Sequence, residues 1–225
     1  MTIRPTILAF DTSGPWCAAA LKMEGQVLQS RQEEMPRGQA ERLMPMIEDI
    51  VRAEDASLEK IDAIGVGIGP GNFTGIRIAV SAARGLALAL GIPAIGVSTF
   101  EIAARGAEKE CVLLEGPRGT AYVSQFVDGR WSAPLNIDLN DAGTELNVPS
   151  GALITGYMSE LVAERCQSRE SGSVYRLGRS RAGNPAVQIA NIVSLRPAPT
   201  SPPAPLYIRP ADAAPASDPP PVILS

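Results

Sequence analysis

Residues Gly65-Val-Gly-Ile-Gly-Pro-Gly-Asn-Phe-Thr-Gly-Ile-Arg77 constrain this 225-residue chain more than any other stretch. A short apolar run enters a glycine-proline-glycine turn and leaves it directly as a long apolar helical pattern. Gly69 and Gly71 permit backbone angles closed to other residues and keep Cβ atoms out of a neighbour's way. The first amides of a helix have no partners inside it, so Thr74 and Gly75 in that first turn make an anion-site candidate. The stretch matches neither the P-loop, since no Gly-Lys-Ser/Thr follows, nor G-x-G-x-x-G. The plainer reading is a tight strand-to-helix corner that binds nothing.

The chain contains no histidine. A His-based metal site, a Ser-His triad and a Cys-His dyad are therefore excluded within it. Carboxylates could still do acid–base work, provided burial raises their pKa. The net charge of −4 and pI near 5.0 argue against autonomous nucleic-acid binding, which wants a basic face. One local exception is the group Arg165, Arg169, Arg176, Arg179 and Arg181, which reads as a solvated loop or as phosphate contacts. Cys17, Cys111 and Cys166 are odd in number and widely spaced, which fits a reducing cytoplasm rather than a disulfide framework. The apolar run Ile7–Phe10 is too short for a signal peptide, and Arg77 and Arg84 interrupt the long helix, so no membrane role is expected.

Thr6–Asp11, Trp16–Met23 and Gln26–Gln32 read as three strands, with turns at Thr12–Pro15 and Glu24-Gly25. A helix over 38–54 follows, with Leu43, Ile47, Ile50 and Val51 on one stripe and a kink or late start expected at Pro45. After the strand Ala63–Ile68 and the glycine turn, a helix runs from Thr74 to Leu90, stopped by Gly91. It is apolar nearly all round, so a sheet on one side leaves another side to be covered by a helix or a second subunit. Gly75, Ala79 and Ala83 form a small stripe that would let another backbone approach. Met35, Met44 and Met46 either fill the core or add adaptable interface surface.

Further on come a strand at Ala94–Val97, a helix at Thr99–Ala107 and a hairpin of Cys111–Leu114 with Ala121–Val127. Residues 128–150 read as loop-rich. A strand at Ala152–Thr155 and helices at Ser159–Gln167 and from Asn184-Pro185 to Ser194 complete the pattern. Half of the twenty prolines lie beyond Arg196. That tail reads as an extended or disordered spacer, or more sharply as a ligand for an SH3-like domain.

Three meandering strands, then helix, strand, helix, is the order of one lobe of the actin, Hsp70 and sugar-kinase (ASKHA) superfamily. In that α/β fold, Asp11, Thr12 and Ser13 sit where the first hairpin turn faces nucleotide phosphates, alongside Gly69, Gly71, Thr74 and Gly75. The expected organisation is an N-terminal lobe over 1–100 and a smaller, degenerate C-terminal lobe over 101–196. A proline-rich tail over 197–225 completes it.

Five motifs occur in order within residues 6–100. They are Ile7-Leu-Ala-Phe-Asp-Thr-Ser13, Arg42-Leu-Met-Pro-Met-Ile47, Gly69-Pro-Gly-Asn-Phe-Thr-Gly-Ile-Arg77, Gly85-Leu-Ala-Leu88 and Ile95-Gly-Val-Ser-Thr-Phe100. Together they resemble the TsaB (YeaZ) family, and the likeness resumes weakly at Gly119–Tyr122 and Pro205-Leu-Tyr-Ile-Arg209. The resemblance implies a non-catalytic cytoplasmic subunit in making N6-threonylcarbamoyladenosine at position 37 of tRNAs that read ANN codons. Its implied partners are a TsaD-like catalytic paralogue and a TsaE-like ATPase, with self-association when alone and tRNA met only through the complex. No cofactor of its own is implied, ATP or ADP at the complex interface being the open case. The expected partner face is Leu43, Met46, Ile47, Ile76, Arg77, Ala79, Val80, Ala83 and Arg84. The chain departs from the family at Gln39 and at Glu115-Gly-Pro-Arg-Gly-Thr-Ala-Tyr122, which weakens any ligand site in the second lobe. The alternative is an independent ATPase or kinase of the same fold, with Asp11 placing Mg²⁺ or water.

Overall fold

A computed structural model describes residues 4–54, 56–140, 146–169, 172–180 and 183–208. Arg181, Arg209 and the remaining prolines of the tail lie outside these residues.

The first sheet is built from β1 (Ile7–Asp11), β2 (Trp16–Met23), β3 (Gln26–Glu34), β4 (Ala63–Gly67) and β5 (Ala94–Val97), in the order β3-β2-β1-β4-β5. β1, β2 and β3 pair antiparallel, and β1, β4 and β5 pair parallel. All five residues of β1 are buried, which requires cover on both faces. Leu8 and Phe10 point to one side, among residues of α1 (Gln39–Ala53) and α2 (Phe73–Leu90). Ile7 and Ala9 point to the other, onto Ile189, Ala190 and Val193 of a late helix (Pro185–Val193). β3 forms the outer edge, and its Gln, Arg and Glu residues keep that edge from pairing with another sheet.

α1 starts at Gln39 and passes through Pro45 without the late start expected there. The carbonyl deprived of a donor belongs to exposed Glu41, so water can satisfy it. Asn72 caps α2 by accepting the Gly75 amide at 2.8 Å, and Gly91 ends it in the left-handed region at φ 67°. Among the described residues α2 is the one helix long and apolar enough to cross a membrane by length and composition. Five of its eighteen residues are nonetheless buried, all five in the protein interior.

The second sheet repeats the plan. β6 (Glu110–Glu115) pairs antiparallel with β7 (Thr120–Val127), whose far edge carries the short strands β8 (Arg130–Trp131) and β9 (Leu135–Asp138). On the other side of β6 run β10 (Leu153–Gly156) and β11 (Arg176–Gly178), both parallel to it. β6 thus stands where β1 stands, and β10 and β11 where β4 and β5 stand. A helix, α4 (Ser159–Arg169), joins β10 to β11 as α2 joins β4 to β5. The described residues between β9 and β10 hold no counterpart of α1. This is the ASKHA arrangement, with a reduced second half.

Helices are exchanged between the halves. α3 (Thr99–Ala103) follows β5 but places Phe100 and Ala103 beside Val112 of β6. The Pro185–Val193 helix, α5, follows β11 but packs on β1, β2 and β4. Lys22 of β2 fastens it, donating to Asn191 Oδ1 at 2.8 Å and Ser194 Oγ at 3.1 Å. α3 is shorter than expected and ends at Ala103. The next amides, of Arg105, Gly106 and Ala107, turn to the Glu110 carboxylate at 2.8, 3.0 and 3.2 Å.

The proline-rich segment is free of regular structure over 197–208, yet it is held. The Leu206 amide donates to the Ile68 carbonyl at 2.8 Å, Pro203 is buried, and Leu206 and Ile208 join the cluster around Phe100 and Val112. The described part of the tail is a strap laid against the body.

Candidate functional site

Asp11 ends β1 and is 1% exposed. One carboxylate oxygen, Oδ2, accepts from Trp16 Nε1 at 2.7 Å and from Ser13 Oγ at 3.1 Å. The other, Oδ1, is buried without a hydrogen-bond partner. It points at Gly67, where any Cβ would collide with it. Burial raises the Asp11 pKa above the ordinary carboxylate value, against the lowering effect of the Trp16 and Ser13 hydrogen bonds. The indole of Trp16 also covers Gly14, so the turn is roofed by its own hairpin.

The two candidate motifs meet. Ser13 offers its carbonyl to the Asn72 amide at 2.6 Å, and Thr12 Oγ1 donates to the Gly75 carbonyl at 2.6 Å. Gly75 allows this approach, since a side chain there would run into the Thr12 carbonyl. On the far side, Thr99 donates its amide to Gly69 and its hydroxyl to Pro70, at 2.8 and 2.7 Å; the Gly69–Pro70 peptide is cis. Of the amides expected to face an anion, that of Gly75 is taken by the Asn72 side chain, and the adjoining Asn72 amide is taken by Ser13. Asp11–Ser13 and Gly69–Gly75 are brought together as one interlocked junction, with Thr74 exposed at its rim.

The expected partner face needs a correction. Leu43, Met46, Ile47, Ile76, Ala79, Val80 and Ala83 are each 3% exposed or less and belong to the first core. Their i, i+3, i+4 spacing marks the stripe that packs on the sheet, and periodicity alone does not say which stripe faces outward. Arg77 and Arg84 are the two of the nine that reach the surface. The outer side of α2 is made instead by residues the pattern did not single out: Phe73 at 48% and Leu88 at 86% exposure, with Ser81 between them.

Two cavities flank this region. One of 520 Å³ opens between the end of α2, at Arg84 and Leu88, and strap residues Pro199–Pro202. Another of 310 Å³ lies where the halves meet, among Phe126, Trp131, Asn191 and Arg196. The charged groups of the second are already engaged: Arg196 holds Glu101 and the Gly96 carbonyl, while Glu110 holds the loop amides.

The family model described as TsaD, tRNA N6-adenosine threonylcarbamoyltransferase, matches residues 27–154. The tRNA threonylcarbamoyladenosine biosynthesis protein TsaB of Escherichia coli K12 is 45% identical over 124 residues, which are 55% of this chain and 50% of that protein. Its namesake in Haemophilus influenzae is 33% identical over 128 residues, 54% of each. The chain spans about half the length of the curated relatives it matches. Among solved structures, YeaZ from Pseudomonas aeruginosa superposes with a TM-score of 0.62 at 29% identity, covering 85% of this chain and 90% of that one. A P. aeruginosa protein described as similar to peptidase YEAZ gives 0.65 at 25% identity, covering 91% and 100%. The ROK hexokinase of Thermus thermophilus, at 0.53 and 15% identity over 82% of this chain and 97% of that one, shares the fold. With half of the sequence inside the family model and YeaZ structures matching nearly end to end, the chain belongs to the TsaD-type family, in its TsaB/YeaZ branch.

Proposed function

We propose that this chain is a non-catalytic assembly subunit for threonylcarbamoylation of N6 of adenosine 37 in tRNAs reading ANN codons. In this reading it acts in the cytoplasm, docks on a TsaD-like catalytic paralogue through the outer side of α2, and a TsaE-like ATPase joins the assembly. The observation that carries the docking is the state of α2. It is eighteen residues long, has five buried, contains no acidic residue and leaves Phe73 and Leu88 exposed. A face of that kind gains by being covered.

The absence of histidine and the interlocked phosphate-loop position support the non-catalytic part. Any ATP or ADP of the assembly then belongs at the subunit interface rather than at Asp11. The test is the light-scattering mass of the protein alone and mixed with the TsaD-like paralogue of its own organism. A one-to-one species, or a pair bridging two partners, is the expected result. Unassociated monomers in the mixture would remove the proposal. Titration of the isolated protein with Mg-ATP should give no binding at micromolar concentrations, and turnover would instead favour the kinase reading.

A further inference from the structure

Five of the eight exposed residues of α2 lie on one line. Phe73, Arg77, Ser81, Arg84 and Leu88 are all exposed, at positions i, i+4, i+8, i+11 and i+15. At 3.6 residues per turn they fall within about 80° of the helix circumference and span about 22 Å. The ends of this ridge are apolar and its middle is cationic. At the first end the Tyr207 ring stacks on Phe73 with centroids 5.2 Å apart, and Tyr207 is itself 49% exposed. The strap bond from Leu206 to Ile68 fixes Tyr207 in place. Arg77 lies with its guanidinium carbon 5.2 Å from the Phe73 centroid. At the other end Leu88 and Arg84 form the lip of the 520 Å³ cavity beside Pro199–Pro202, a socket with room for more than one side chain.

Arg77 and Arg84 sit two turns apart, about 10 Å along the helix. Among the described residues neither forms a salt bridge, and α2 has no carboxylate to offer them. A two-fold pairing of this ridge with its own copy cannot neutralise them. An antiparallel pair centred on the ridge sets Arg77 against Arg84, and a pair centred on either arginine sets it against itself. Like charges directly opposed in an interface oppose association. A nucleic acid would suit the cations but not the flanking Leu88 and its apolar socket, and the chain as a whole carries −4.

We infer that the α2 ridge is read by an acidic protein surface. Two carboxylates spaced about 10 Å apart would meet Arg77 and Arg84. Apolar side chains would land on the Phe73–Tyr207 stack and in the cavity beside Leu88. This rests on the assembly role proposed above and adds the chemistry of the partner face. It also makes the C-terminal strap part of the docking surface through Tyr207. Aromatic and arginine anchors of this kind dominate many interfaces.

The experiment measures binding of the TsaD-like paralogue to the wild type, to the double variant Arg77→Glu with Arg84→Glu, to the double lysine variant, and to Tyr207→Ala, at low and high salt. All positions are exposed, and circular dichroism checks that each variant is folded. Wild-type affinity should fall with salt, the glutamate pair should weaken binding by at least about tenfold, and the lysine pair should retain most of it. Tyr207→Ala should weaken binding at both salt concentrations. If the paralogue binds all variants equally, the inference is lost while the assembly role stands. If the paralogue fails to bind the wild type, both are lost. Binding of tRNA alone that the glutamate pair abolishes would overturn the inference in favour of RNA. A low-salt homodimer broken by the same pair would overturn it in favour of a second copy.

Discussion

Asp11 shows what a single side chain at the end of β1 does to the energetics of this junction. Its folded pKa is raised by burial, so the ionised form destabilises the native state. Its contribution to stability is fully present below the ordinary carboxylate value, near pH 4, and is lost as pH rises through the raised folded value. Asp11→Asn removes the ionisation and keeps an acceptor for Trp16. The variant should therefore gain stability relative to wild type at neutral pH and lose that advantage on acidification. Thermal melts at several pH values check this, and an advantage that grew toward acid would contradict the assigned cause. Glu110 is a buried carboxylate of another kind: it is 2% exposed, and three backbone amides and Thr155 Oγ1 at 3.0 Å supply its hydrogen bonds. Glu110→Ala orphans those donors and should cost roughly 2–4 kcal/mol in denaturant unfolding.

At the scale of elements, α2 separates packing from docking. Ala79 and Ala83 are fully buried, so their small size serves the closeness of α2 to the sheet and to α1. Ala83→Leu should overpack the core and destabilise the isolated protein by about 1–3 kcal/mol. Ser81→Leu on the ridge should leave the melting temperature of the isolated protein within a degree or two. A reversed order of effects would place the core on the wrong side of the helix. The elements legible in the sequence are those with a long period or a clear boundary. β2, β5, α2 and the Asn184-capped α5 all fall within a residue or so of expectation, because alternation, Gly91 and Asn-Pro are local signals. β8, β9 and β11, of two to four residues, are too short to show a period, and neighbouring strands create them. α3 is shorter than its pattern predicts because nothing local reveals that the amides of Arg105, Gly106 and Ala107 serve a carboxylate from β6. The outer face of α2 differs from the expected one because its apolar stripe packs on the sheet, and the signal that marks the outer side is the spacing of Arg77, Ser81 and Arg84.

The whole molecule reads as two copies of one sheet plan, a relation visible at sequence level in the first copy and only faintly in the second. The interlocking of Asp11–Ser13 with Gly69–Gly75 was half legible. The sequence located both turns, but only their packing reveals that each occupies the other's donors. The exchange of α3 and α5 between halves was not legible, since nothing in a helix names the sheet it will cover. Its consequence is temporal. On the ribosome, β1 to β5 emerge complete, yet Ile7 and Ala9 have no roof until residues 185–193 have been synthesised. The first half must therefore wait until α5 has been synthesised, and should remain protease-sensitive when the nascent chain stops at residue 100. Adding the separate fragment 101–225 should restore protection to 1–100 in trans, whereas the same fragment with Ile189 and Val193 changed to Asp should not.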